Sequence, residues 1–212
     1  IPHDPGSARY VHTPAGQDML ELLVGEDGWA DPLRGFGVPI HYTKDAAVTA
    51  VTGQGLRCLS EDELNEVFAR GVLLDASALQ TLQEMGYADL AGVQVENEVG
   101  SRDRPTGPEE LTDPVFAGGR YHYTWTYGFK RIGVFTLAEG ARPISRIVDA
   151  DGTFLYHGVV LYENRLGGRV ATVPYFCETT SPGRKGPEKA FYSPYRRQQF
   201  HALLPWLADM FR

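Results

Sequence analysis

The chain has 212 residues, 42% of them hydrophobic and 22% charged, with a formal net charge of −7 at neutral pH. That is long enough to bury a sizeable core as one large domain or two small ones, and the composition is that of an ordinary globular protein. The acidic balance argues against a nucleic-acid surface and against adhesion to anionic lipid, and no apolar run approaches the roughly 20 residues of a membrane span.

Residues 1 to 15 carry Pro2, Pro5 and Pro14 and show no period, so they read as an extended lead-in. Ile1-Pro2-His3-Asp4-Pro5-Gly6 has neither the basic start nor the apolar core of a signal peptide. With no initiator Met, the expectation is a piece of a longer protein. Tyr10-Val11-His12 is the best candidate for a first strand. Gln17 to Val24 suits a short helix stopped by Gly25, a helical turn is expected around Trp29 to Leu33, and Val38 to Tyr42 is a strand whose Pro39 suits its beginning or a sheet edge.

From Ala46 the pattern becomes explicit. Ala46 to Thr52 is an apolar strand, and Gly53-Gln54-Gly55 is a turn. Ser60 followed by Glu63 forms a capping box at the head of a helix whose apolar stripe is Leu64, Val67 and Phe68. Gly71 is expected to stop that helix in a left-handed cap. Gly71-Val72-Leu73-Leu74 has no polar alternation, which is how a strand covered on both faces reads. Asp75 caps the next helix, where Leu79, Leu82 and Met85 share a face and Gly86 closes it.

After Val93 the chain turns to strands. Val95 and Val99 with Glu96 and Glu98 suggest one, and Ser101 to Pro108 is a loop. From Arg120 the segments RYHYTWTYG, KRIGVFTL, RPISRIVDADGTFLYHGVVLYEN and GGRVATVPYF read as four or five strands. Asp149-Ala150-Asp151-Gly152 marks a hairpin, and Gly167 to Val173 a final strand. Ser193-Pro194 starts a helix with the stripe Phe200, Leu203, Leu204, Leu207 and Phe211, expected to pack on the sheet holding Val48 to Val51 and Val72 to Leu74.

The succession of an apolar strand, a glycine turn, the LSEDEL helix, the GVLLD strand, the ASALQTL helix and GYADLAGV resembles the class I glutamine-amidotransferase-like domain. More narrowly it resembles the non-catalytic version that serves as the trimerisation domain of family 42 type β-galactosidases and related bacterial glycosidases. The resemblance implies an α/β fold, a flavodoxin-like doubly wound parallel sheet with a β-rich insertion. Residues 1–93 and 167–212 would form the amidotransferase-like domain, and 94–166 the insertion. It also implies a silent role in oligomerisation or in shaping a neighbouring active site. The partners would be other domains or subunits of a glycosidase-like cytoplasmic protein, a homo-oligomer at full length.

A catalytic member would carry its nucleophilic cysteine after the strand Val72 to Leu74, where this chain has Asp75 and Ala76. Its histidine and glutamate would lie where this chain reads Tyr175-Phe176-Cys177-Glu178, with a glutamate and no histidine. Other chemistry has weaker warrant. Cys177 as a nucleophile needs a base beside it, and no histidine adjoins it in sequence. The six histidines show no ligand spacing, and two cysteines, Cys58 and Cys177, are too few for a zinc site or a disulfide scaffold, so no metal or cofactor is expected. Glu96 and Glu98 on one strand face would satisfy the paired-carboxylate requirement of glycoside hydrolysis, or simply solvate that face. Tyr121, Tyr123, Trp125 and Tyr127 alternate along one strand and so share a face. Such a row suits a carbohydrate-binding platform or an oligomer interface, and equally the inside of a β-layer. A carbohydrate-binding module is thus the rival reading, and a hydrolase with an unrecognised site a third.

Overall fold

The computed structural model describes residues 46–100, 108–117, 121–124, 131–176 and 194–209. The expected elements before Ala46, most of the loop from Ser101, and Trp125, Tyr127, Cys177, Glu178 and Phe211 lie outside the described residues.

Strand β1 (Val48–Val51) runs into a 3-10 turn, Gly55–Cys58, and then helix α1 (Glu61–Phe68). The capping box is present: the Glu63 amide donates to Ser60 Oγ at 3.3 Å, and the Ser60 amide donates to Glu63 Oε2 at 3.0 Å. Strand β2 (Gly71–Leu74) follows, parallel to β1 and buried along its whole length. Helix α2 (Ala76–Glu84) starts on Asp75 and ends at Gly86, whose φ of +88° is the left-handed value expected of a closing glycine. Gly71 plays a different part from the one expected. Helix α1 ends at Ala69 in a right-handed conformation, and Gly71 already belongs to the strand. A Cβ at Gly71 would lie 2.4 Å from the Leu207 carbonyl oxygen, so the glycine is needed for close packing rather than for a positive φ.

The remaining strands are β3 (Val93–Gly100), β4 (Glu109–Leu111), β5 (Tyr121–Thr124), β6 (Arg131–Leu137), β7 (Arg142–Pro143), β8 (Ser145–Val148), β9 (Phe154–His157), β10 (Val160–Glu163) and β11 (Arg169–Thr172). The short helix α3 (Pro114–Ala117) lies between β4 and β5, and α4 (Pro194–Leu207) comes last. The main sheet has five strands in the order β1-β2-β11-β10-β7. Only β1, β2 and β11 are parallel, and β10 and β7 join antiparallel at one side. A β3–β6 ribbon and a four-stranded antiparallel sheet, β5-β4-β8-β9, complete the described strands.

This overturns the flavodoxin-like doubly wound parallel sheet. The fold is mixed, with several separate sheets and, among the described residues, four α-helices. The physical reason is connection length. A parallel neighbour needs a crossover of about a dozen residues or more, whereas an antiparallel one needs only a turn. Here β10 returns to β11 through residues 164–168, with Gly167 at φ +81° and Asn164 Oδ1 accepting the Leu166 and Gly168 amides at 3.0 and 3.1 Å. The Asp149 turn joins β8 to β9 in the same way, its Oδ1 accepting the Asp151 and Thr153 amides at 2.9 and 2.8 Å. Strands β7 and β10, both from 94–166, hydrogen-bond within the main sheet.

The main sheet is covered on both faces. Val51, Val72, Leu74, Val160 and Val170 pack with Leu64, Phe68, Leu79 and Leu82 of α1 and α2. Ala50, Leu73, Leu161 and Ala171 point the other way, into a cluster with Phe200, Leu203 and Leu207 of α4 and Ile147 and Tyr156 of the four-stranded sheet. Helix α4 therefore packs on the strands named for it, with Leu204 only partly buried.

Two glycines separate steric from conformational cost. A Cβ at Gly168 would lie 2.0 Å from the Phe68 carbonyl oxygen, while one at Gly152 would meet nothing within 4 Å but sit at φ +82°. Gly168→Ala is expected to lose about 2–3 kcal/mol by overpacking. Gly152→Ala should lose about 1 kcal/mol from the left-handed backbone alone. Urea midpoints of the two variants check that order.

Candidate functional site

The turn after β2 is where the amidotransferase resemblance would place a nucleophile. Asp75 occupies it, fully buried. Its Oδ1 accepts the Ala78 amide at 2.8 Å, its Oδ2 accepts the Thr52 hydroxyl at 2.7 Å, and the Ser77 hydroxyl lies 2.8 Å from both oxygens. Ser77 Oγ in turn accepts the Gly53 amide at 2.8 Å, and Thr81 Oγ1 donates to the Gly53 carbonyl at 3.1 Å. The Ala76 amide donates to the Tyr175 carbonyl at 3.0 Å. This network ties the end of β1 to the start of α2. The carboxylate is an N-cap with both oxygens engaged.

A second polar cluster is sealed between α4, β4 and β8. Glu109 is 0% and Arg196 1% exposed, and they form an ion pair through Arg196 Nη2 and Glu109 Oε2. Tyr175 donates its phenol proton to Oε2, and Ser145 donates its hydroxyl proton to Oε1. Arg196 Nη1 donates to Gln199 Oε1 at 2.7 Å, and Ser145 Oγ accepts the Val159 amide at 2.6 Å. A Cβ at Gly158 would stand 2.2 Å from Ser145 Oγ and 2.8 Å from Glu109 Oε1, so only glycine admits this approach. Burial foremost, then the Glu109 charge, raises the Tyr175 phenol well above its ordinary range. For Arg196 burial acts downward, and the neighbouring carboxylate overrides it and raises the guanidinium.

A cleft of about 370 Å³ opens at the amino ends of β1, β2 and β11, lined by Ala47, Arg70, Gly71, Gly168, Arg169 and Asp209 among others. Arg169 lies over the Trp206 ring at 5.1 Å, donates to the Trp206 carbonyl at 2.7 Å, and pairs with Glu163 at 3.2 Å and Asp209 at 3.1 Å. It fastens the end of α4 to the sheet.

Of the sequence-predicted residues, two of the aromatic row and both strand glutamates fall within the described residues. Tyr121 and Tyr123 lie on β5, an outer strand of the four-stranded sheet, with Tyr121 in register with Leu111. Their row cannot be followed to Trp125 and Tyr127, which fall outside the described residues. Glu96 sits at a register shift of β3 between Val95 and Asn97, and such an extra residue breaks the alternation that the same-face reading assumed. Glu98 is engaged by Gln80 at 2.5 Å and Arg131 at 2.8 Å. Sequence reasoning passed over Glu109, Tyr175, Arg196 and Gln199. The signal for two of them was present: Arg196 and Gln199 lie four residues before Phe200 and Leu203, on the face that α4 buries.

Among the described residues no group of three or more His, Cys, Asp or Glu is placed to hold a metal ion, and no helix is long and apolar enough to cross a membrane. No protein-family profile and no curated protein matches the sequence. Among solved structures the chain is similar to the cytoplasmic protein STM3548 from Salmonella typhimurium, with a TM-score of 0.61 and 13% identity over 86% of this chain and 87% of that one. It is also similar to the cytoplasmic protein STM1381 from Salmonella typhimurium LT2, with a TM-score of 0.55 and 12% identity over 86% and 88%. At such identities the likeness is one of fold alone, and neither protein is described as an amidotransferase or a glycosidase.

The Tyr175 shift fixes a pH dependence. An unfolded tyrosine ionises near pH 10 while the buried phenol keeps its proton, so the unfolded state holds fewer protons above that pH and stability falls as pH rises. The stability advantage of the wild type over Tyr175→Phe should therefore be constant below about pH 9 and shrink above pH 10. Urea unfolding of both proteins across that range measures it.

Proposed function

We propose that this chain is a non-catalytic interaction module, building contacts between subunits or neighbouring domains of a larger protein. The observation that carries the reading is the state of Asp75. At the strand-to-helix turn where a catalytic relative would expose a nucleophile, this chain has a buried carboxylate whose two oxygens serve the helix and the preceding turn. The flavodoxin-like sheet is not part of this proposal. Its remaining elements are a bacterial glycoside-hydrolase-like parent, a cytoplasmic setting and homo-oligomer formation. The purified protein should release neither ammonia from glutamine nor chromophore from aryl glycosides. Turnover in either assay that disappears on a single substitution would reject the proposal.

One observation favours a second reading, a carbohydrate-binding module. Tyr121 and Tyr123 lie on an outer strand of the four-stranded sheet, and aromatic faces stack on sugar C–H surfaces. In that case Trp125→Ala abolishes retention on a polysaccharide column and leaves the melting temperature within a few degrees of the wild type. A loss of about 3 kcal/mol or more would instead mark the ring as core.

A further inference from the structure

The Glu109–Arg196 cluster joins parts of the chain that no backbone hydrogen bond in the described sheets connects. Glu109 belongs to β4 in the four-stranded sheet, Arg196 and Gln199 to α4, and Tyr175 to the segment that leaves β11 of the main sheet. Beside it the four-stranded sheet meets α4 through an apolar cluster of Ile147, Tyr156, Val159, Phe200 and Leu203, while Arg169 holds the far end of α4 to β11 through the Trp206 carbonyl and the Ile144 amide donates to the Val159 carbonyl at 2.8 Å between the two sheets. Apolar contact is non-directional, and a helix can slide by one turn against a sheet and still bury its stripe. A charge pair cannot slide, because one turn of displacement would leave both ions buried without their counterparts.

We propose that Glu109, Arg196 and Tyr175 form a docking key: positioning residues that select one seating of the four-stranded sheet on α4 and contribute little net stability as a set. Three features argue for a built device rather than an accident of packing. Both ions are sealed, so neither can be satisfied by water after a slip. The carboxylate receives donors from three elements, Arg196 on α4, Ser145 on β8 and Tyr175 after β11, so its position is over-determined. Gly158 leaves the room the carboxylate needs, since a Cβ there would stand 2.8 Å from Glu109 Oε1. The key also locates β5, which pairs with β4 in the register Glu109 to Thr124 and packs on α4, so it sets where the strand carrying Tyr121 and Tyr123 lies.

The experiment compares the wild type with Glu109→Gln, Arg196→Met and the combined variant Glu109→Met, Arg196→Met, Tyr175→Phe. Each single substitution leaves a buried group unmatched, and the melting temperature should fall by roughly 10 °C. The combined variant should recover to within about 4 °C of the wild type. Its amide spectrum should nevertheless show two or more sets of resonances for β4, β8 and α4, while β1, β2, α1 and α2 keep a single set. A combined variant as unstable as the singles would make the cluster a stability element and overturn the proposal. So would a stable combined variant with one set of resonances throughout, since the apolar contacts alone would then select the seating.

Discussion

Removing Glu109 and Arg196 from water costs several kcal/mol per ion, and the architecture around them is the arrangement in which that cost is met. The carboxylate is reached by a guanidinium, a phenol and a hydroxyl, and the guanidinium also by the Gln199 amide oxygen. These groups come from β4, β8, α4 and the segment after β11, so all of them must be in place together. Pairs such as Arg57 with Glu84 or Arg165 with Asp89 lie at the surface, where screening and side-chain entropy leave a contribution of about 0–1 kcal/mol.

The buried pair constrains one face of the main sheet, and on the other a set of uncharged donors gathered on the Asp75 carboxylate ties β1 to α2. Around Asp75 the donors are hydroxyls and backbone amides, and the element being positioned is a helix amino terminus, where a carboxylate also faces the positive end of the macrodipole. Ala76 and Tyr175 link the two systems: the Tyr175 carbonyl receives the first helical amide of α2, and its phenol lies in the charged cluster. One residue after β11 thus touches the polar supports of both layers. Beside it Arg131 stacks on Phe176 at 4.3 Å, and the Gly133 amide donates to the Pro174 carbonyl at 2.7 Å, drawing the β3–β6 ribbon against the same segment.

What could be read from sequence was what neighbouring residues decide among themselves. The Ser60 and Glu63 box, the Asp75 cap, the unbroken Val72-Leu73-Leu74 run and the Asp149 hairpin are each settled within a few residues, and each appears as expected. The charged cluster was not legible because its members are 87 and 66 residues apart along the chain. Glu109 stands in a proline- and glycine-flanked stretch with no period, where a carboxylate reads as solvated. Arg196 could have been suspected from its helical spacing to Phe200, but a charge at the end of an apolar stripe ordinarily snorkels to solvent. Gly71 shows the same limit: its local reading as a helix stop was reasonable, while the partner that requires it, Leu207, lies at the far end of the chain.

The same locality explains why the parallel-sheet expectation failed beyond α2. A β-α-β unit with a capped helix and a doubly buried strand is the cheapest way to place two parallel strands side by side, so unrelated folds share it and its residues carry little topological information. What separates a doubly wound sheet from a mixed one is how the chain returns, and that is written in connection lengths. Residues 164–168 are five positions between β10 and β11, enough for a turn closed by Asn164 and Gly167 and far short of a helical crossover. Strand β10 must then run antiparallel to β11 whatever lies elsewhere. Strand β11 in turn aligns parallel with β2 because its amino end is pinned there, Arg169 donating its amide to the Arg70 carbonyl and Asn164 its side-chain amide to the Phe68 carbonyl at 2.8 Å. A sheet that mixes both directions about its centre is what those two constraints require.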